Sequence, residues 1–143
     1  MNKYFLLSFL LITTLFISCA SNPELPFIQE LENVYLSIDI ENLSRYELTY
    51  TIYNNDESTL SFGHFFSIYM YSNGAWNKIY DASVRPIALR ILPHEDYTAN
   101  IDFVQLKGSA LSSGRYLLVI PNVIMLDGVN TSSYLITEFV ISG

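Results

Sequence analysis

A side-chain period of two, recurring in short runs along the chain, restricts the fold more than any other feature. Tyr46, Leu48, Tyr50 and Ile52 alternate with Glu47, Thr49, Thr51 and Tyr53. A segment that puts every second residue in the core and the others in water is a half-buried β-strand. Val34, Leu36, Ile38 and Ile40 alternate in the same way with Tyr35, Ser37, Asp39 and Glu41. The run Phe65 to Tyr71 sets Phe66, Ile68 and Met70 against Phe65, Ser67, Tyr69 and Tyr71. Asn73-Gly74 then supplies the two positive φ angles of a type I′ turn, so Ala75 to Tyr80 return as its hairpin partner.

Later segments continue the pattern. Residues 84–92 contain Pro86, which cannot donate to a ladder, and this places them at a sheet edge. A turn over Leu92 to Asp96 leads into alternation from Tyr97 to Phe103, followed by a loop from Lys107 to Gly114. Tyr116 to Ile120 are almost all apolar, as in a central strand buried on both faces, and Tyr134 to Ile141 form the last strand. Seven to eight short strands separated by turn signals, with no helical period, predict an all-β antiparallel sandwich. Tyr116 opens the sixth of these strands behind Leu111-x-x-Gly114, where immunoglobulin-type sandwiches keep a tyrosine corner.

The first 32 residues are of a different kind. Lys3 precedes an apolar run from Tyr4 to Phe16, and the small residue Ser18 stands before Cys19. The run has the parts of a secretory signal and is shorter than the roughly 20 apolar residues that span a bilayer. Phe16-Ile17-Ser18-Cys19 resembles the lipobox of bacterial lipoproteins, with Phe16 where that family more often has Leu. The resemblance implies cleavage after residue 18 and a diacylglyceryl group on Cys19. Residues 1–18 then form a signal peptide, residues 19–32 a lipidated cysteine and tether, and residues 33–143 the domain. The expected location is the cell membrane, lipid-anchored and facing outside the cytoplasm. Each buried methylene of an acyl chain contributes roughly 0.8 kcal/mol, so two or three chains make such an anchor permanent. The chain has one cysteine, which rules out an internal disulfide framework.

Charge narrows the partners. Fourteen acidic residues against seven basic ones give a net charge of −7, a balance opposite to the clustered Lys and Arg that nucleic acids or anionic lipid surfaces require. Catalytic chemistry has little to build on. His64 and His94 are the neutral-pH bases and each lies beside an expected turn, without a nucleophile motif. The acidic pairs Asp39 with Glu41, Asp56 with Glu57 and Glu95 with Asp96 lack the spacing of a calcium loop. We therefore expect no catalytic residues, no metal site and no cofactor.

Two apolar features could serve binding. With Phe66, Ile68 and Met70 inward, Phe65, Tyr69 and Tyr71 would face outward beside Leu117 and Val119, a patch of the kind that marks an interface. Alternatively, Trp76 and Tyr80 fold over that patch, or a bulge reverses the register. The second feature is the connection Pro121 to Ser133, where Val123, Ile124, Met125 and Leu126 are too apolar for a solvated loop. They either extend the preceding strand, with Asp127-Gly128 turning into the next, or form an apolar binding tip led by Ile124 and Met125.

The motifs YTIYNNDE at Tyr50 to Glu57, Gly63-x-x-Phe66-x-Ile68, NGAW at Asn73 to Trp76, ILPHEDY at Ile91 to Tyr97, LSSGRYLLV at Leu111 to Val119 and EFVI at Glu138 to Ile141 resemble the bacterial immunoglobulin-like domain of small secreted and lipid-anchored proteins. They are similar, more distantly, to the intracellular proteinase inhibitor of bacilli. The first resemblance implies an immunoglobulin-like sandwich acting as a binding or structural module. The second implies a protease inhibitor using the loop 121–133. An enzyme or a metal-binding protein is the third reading.

Overall fold

In the computed structural model, which describes residues 31–82, 87–126 and 132–143, the chain is a sandwich of two antiparallel sheets. One sheet has the order β1 (Val34–Ile38), β2 (Glu47–Asn54), β7 (Asp96–Asp102). In the other, β4 (Phe66–Ser72) lies between β5 (Ala75–Ala82) and β8 (Gly114–Met125), and β9 (Ser133–Ile141) pairs with the far edge of β8. Two short strands complete it: β3 (Leu60–Gly63) pairs with the C-terminal tip of β8, and β6 (Ala88–Ile91) pairs with β3. Both β3 and β4 run along one edge of β8.

The core lies where the inward residues of both sheets meet. Leu48, Tyr50 and Ile52 from β2, Val34, Leu36 and Ile38 from β1, Ile68 from β4, Tyr116, Leu118 and Ile120 from β8, and Leu135, Phe139 and Ile141 from β9 are all buried. Packing these alternating residues between sheets is what the period of two requires. Tyr116 Oη donates to the Ser112 carbonyl at 2.7 Å, and its ring stacks on Phe139 with centroids 5.3 Å apart. This is the tyrosine corner, tying the start of β8 to the loop before it. Asn73 and Gly74 take φ values of 53° and 79° at the β4–β5 hairpin, as a type I′ turn demands.

Three expectations need correction. Alternation in the first strand stops at Ile38, because Asp39 Oδ1 accepts from the Glu41 and Asn42 amides (3.2 and 3.4 Å) and Asp39 Oδ2 from Asn42 Nδ2 (2.7 Å). That Asx turn takes the chain out of the sheet, and Ile40, expected inward, is 79% exposed. A short helix, α1 (Phe103–Lys107), follows β7 where a strand end and loop were expected. Asp102 accepts from the Gln105 amide, and Gly108 closes the helix in the left-handed region. The long β8 also bends: Asn122 has φ 57° and the register slips between Ile120 and Val123, a bulge that lets the tip of β8 leave β4 and pair with β3.

The sandwich has two distinguishable ends. At one, Asn33 accepts from the Asn55 amide, the loop 55–59 follows β2, and the turn Leu92–Glu95 precedes β7. Buried Asn54 joins them: its Nδ2 donates to the carbonyls of Ser58 (2.9 Å), Leu92 (3.1 Å) and Ile91 (3.2 Å), and its Oδ1 accepts from the Asp56 amide. At the other end lie residues 39–46, α1 and the end of β9. The eight residues of β2 separate the two ends by about 24 Å.

Candidate functional site

The outward face of the β5-β4-β8-β9 sheet carries the expected aromatic patch in altered form. Leu117 and Val119 point outward, yet each is only 1% exposed. Long neighbours roof them. Leu117 lies opposite Tyr69 on β4 and Glu138 on β9, and Val119 opposite Ser67 and Ile136. The Arg115 guanidinium carbon lies 5.2 Å from the Tyr71 ring centre and 5.9 Å from that of Trp76, while its Nε bonds Glu138 Oε1 at 2.8 Å. Tyr71 and Trp76 pack with centroids 5.2 Å apart, and Lys78 Nζ sits 5.7 Å above Tyr69.

Trp76 therefore folds over the patch, as one of the two expectations has it, but Tyr80 turns inward against Phe66, their ring centres 5.7 Å apart. The β4–β5 register shifts between Ile68 and Tyr69, so Trp76 and Lys78, not Tyr80, share the outer face. Phe65 precedes β4 and packs its ring on Gly63, where a Cβ would overlap it. Tyr69 and Tyr71 are half-buried in the roof. The contiguous exposed patch of Phe65, Tyr69, Tyr71, Leu117 and Val119 does not form, because cation–π stacking and aliphatic stems fill the space over the two aliphatic residues.

Hydrogen bonds set the charges on this face. Ser67 Oγ donates to Asp81 Oδ1 at 2.8 Å and Lys78 Nζ to Oδ2 at 3.1 Å, and together they hold the Asp81 carboxyl below its ordinary range. Glu138 raises Arg115, and Asp81 raises Lys78. Each cation of the roof has an anionic partner.

Ile124 and Met125 belong to β8 and pair with Ser61 and Leu60, and the Leu126 amide donates to the Thr59 carbonyl. They extend the strand and are not a binding tip. Asp127-Gly128 lies outside the described residues, as does Cys19. His94 contacts Glu57 at 3.1 Å on the exposed surface, and His64 rests its ring edge toward Tyr97. Asp39 and Asp56 cap turns through backbone amides. Among the described residues no group of three His, Cys, Asp or Glu side chains could hold a metal ion, and no helix is long and apolar enough to cross a membrane.

One set of exposed apolar side chains lies at the end away from Asn33. Ile40, Tyr46, Val104, Leu106 and Val140 are all exposed there. The Phe103 amide donates to the Tyr46 carbonyl at 2.8 Å and the Leu111 amide to the Arg45 carbonyl at 2.8 Å, which docks α1 and the following loop beside the β1–β2 turn. Between that turn and the end of β9 runs a groove of about 220 Å³ lined by Ile40, Leu43, Ser44, Arg45, Val140, Ile141 and Ser142. Sequence reasoning missed this tip because it assigned Ile40 to a core face. The available signal was Asp39 three residues before Asn42, an Asx-turn pattern.

A family profile agrees with the fold. The profile of a family described as a bacterial Ig-like domain matches residues 30–123. A structure described as the X-ray structure of Northeast Structural Genomics Consortium target SoR45 is 16% identical, with a TM-score of 0.49 over 77% of this chain and 88% of that one. The crystal structure of a protein from Archaeoglobus fulgidus is 11% identical, with a TM-score of 0.29 over 78% and 98%. No curated protein matches the chain.

Proposed function

The chain belongs to the bacterial Ig-like domain family, and from that premise we propose that it is a non-catalytic module, lipid-anchored through Cys19 and facing outside the cytoplasm, that binds a protein at its exposed apolar tip. One observation carries the reading: the described chain begins beside Asn55, and Ile40, Tyr46, Val104, Leu106 and Val140 are exposed together at the opposite end, around a groove. An anchor attached upstream of Leu31 would leave the tip as the part farthest from the membrane. The end near the anchor, with Glu32, Asp56, Glu57, Glu95 and Asp96, would be repelled by anionic headgroups. Clustered exposed apolar side chains on one end of a domain mark an interaction site.

Two measurements test this reading. Cys19→Ala should move the protein from the membrane fraction to the soluble or secreted fraction; retention in the membrane would sink the anchor. A photo-crosslinking residue placed at position 40 should trap one dominant protein adduct on intact cells, and the same residue at position 35, on the other half of the domain, should not. Equal adducts from both positions would remove the tip as a binding surface.

A further inference from the structure

The two sheets close the sandwich unequally. On one side β1 lies beside β9, and the apolar inward residues there, Val34, Leu36, Ile38, Leu135, Phe139 and Ile141, are buried. On the other side Phe66 on β4, Ile79 and Tyr80 on β5, and Tyr97 and Ala99 on β7 pack against the core but stay half-buried. Strand number explains the difference. The first sheet sets β1-β2-β7 against the run β9-β8-β4-β5 of the second, so with β1 beside β9 it ends one strand short of β5. The missing position lies at the free edge of β7.

That edge is fit for pairing. The Asn54 amide donates to the Glu95 carbonyl and the Phe103 amide to the Tyr46 carbonyl, so the odd-numbered residues of β7 bond β2, and Asp96, Thr98 and Asn100 turn amide and carbonyl away from it. The register with β2 is unbroken from Asp96 to Asp102. Side chains leave the edge clear: Thr98 Oγ1 bonds Thr51 Oγ1 at 2.9 Å, and Asn100 Nδ2 donates to Thr49 Oγ1 at 3.2 Å. The other edges on this side are guarded. A register shift interrupts β5 beside Lys78, and β6 has four residues, devices that keep strands from adding.

Charge defines what β7 accepts. Glu47 lies directly opposite Asp102, like charges that repel across a ladder, and Asp96 stands at the other end of the edge. Among the described residues no cation forms an ion pair with any of the three. Antiparallel pairing with a second copy over all seven residues would set Asp96 against Asp102 of that copy twice. We propose that β7 receives an extended segment of another protein as an antiparallel fourth strand. One basic residue of the segment stands opposite Asp96 and another opposite Asp102, and apolar residues at the alternate positions turn inward toward Ile79 and Tyr80. Main-chain bonds supply the affinity of such an addition and the alternate side chains its specificity. The surface is separate from the tip, so its test is independent of the tip reading.

The test uses the full chain and a fluorophore-labelled heptapeptide with lysine at both ends and valine, threonine, valine, threonine, valine between. Anisotropy should saturate below about 1 mM; no saturation there overturns the proposal. In the proposed pairing the threonine amides point at β7 and the valine amides away from it. N-methylation of both threonines should therefore weaken binding about tenfold or more, and N-methylation of two valines should not; equal losses would overturn strand addition. Replacing both lysines with glutamate should abolish binding, and Asp96→Asn should weaken the lysine peptide about threefold while leaving a serine-ended peptide unchanged. Equal affinity of the lysine and glutamate peptides would overturn the charge assignment. Amide exchange should slow at Thr98 and Asn100 on binding and not along β5; protection along β5 instead would place the peptide on that strand and overturn the proposal. A dimer of the free chain that Thr98→Pro dissociates with an unchanged melting curve, the proline removing an edge amide and no bond to β2, would give the edge to a second copy and likewise overturn it.

Discussion

At the residue scale, Asn54 and His94 carry the most information. Asn54 ends β2 at an inward position, and the sequence around it reads as an ordinary polar turn. Its amide donates to the carbonyls of Ser58 in one loop and of Ile91 and Leu92 at the end of β6. Asn54→Asp keeps the shape and replaces the donor with an acceptor facing those carbonyls, which should cost about 3 kcal/mol or more. A urea titration at neutral pH should show the midpoint falling accordingly, and an unchanged midpoint would mean the three bonds contribute nothing. His94 occupies the third position of the turn closed by the Glu95 amide on the Leu92 carbonyl (3.1 Å), with φ 60°. A residue with a Cβ is strained there, by roughly 1–2 kcal/mol. His94→Gly relieves the strain, offset by the larger freedom of glycine in the unfolded chain and by the loss of an exposed contact with Glu57 worth little. A net gain of about 0.5 kcal/mol is expected, and His94→Ala should not reproduce it. The turn was legible at Pro93. The left-handed histidine was not, because a proline at the second position suits turns with and without a positive φ at the third.

At the element scale, what matters is the relation of strands to their neighbours. Period two correctly identified β2, β4 and β7, and Asn73-Gly74 the β4–β5 hairpin. It missed β3, whose four residues are too few to display a period, and α1, whose five residues are defined by the Asp102 and Gly108 caps and not by an apolar stripe. The outer face of the second sheet shows why facing direction does not decide exposure. Leu117 and Val119 face outward and are buried by side chains from three other strands. Arg115→Ala would remove the stem lying over Tyr71 and Trp76 and leave Glu138 unpaired. About 1 kcal/mol of destabilisation is expected, more than the exposed ion pair alone supplies. A double-mutant cycle with Glu138→Ala should recover only a part of it as coupling. Coupling equal to the whole loss would mean that the arginine acts by charge and not by covering the apolar strip.

On the scale of the whole molecule, stability should be bounded on both sides of neutrality. Hydrogen bonds hold Asp39, Asp56 and Asp81 below the ordinary aspartate range, Asn42 being the main cause for the first, the Ser58 amide for the second and Ser67 for the third. Each folded carboxyl binds protons less readily than its unfolded counterpart. Their contribution is therefore fully present above the unfolded value of about 3.9 and is lost as pH falls through the lower folded values. Burial raises Tyr50, with Tyr97 adding to it. Its contribution is present below the unfolded value of about 10 and is lost as pH rises through the folded one. Melting temperature against pH should form a plateau between these limits; a fall beginning near neutrality would contradict both assignments. The sequence alone determined the strand periods, the hairpin at Asn73-Gly74 and the sandwich, because period and turn chemistry act between residues close along the chain. It equally set the acidic balance and the lipobox-like start. Only tertiary structure decided that Leu117 and Val119 are covered and that Ile40, Arg45 and Val140 meet in one groove. Val140 lies about a hundred positions after Ile40 and Arg45 in the sequence, and burial depends on which side chains the sheets bring together across such distances.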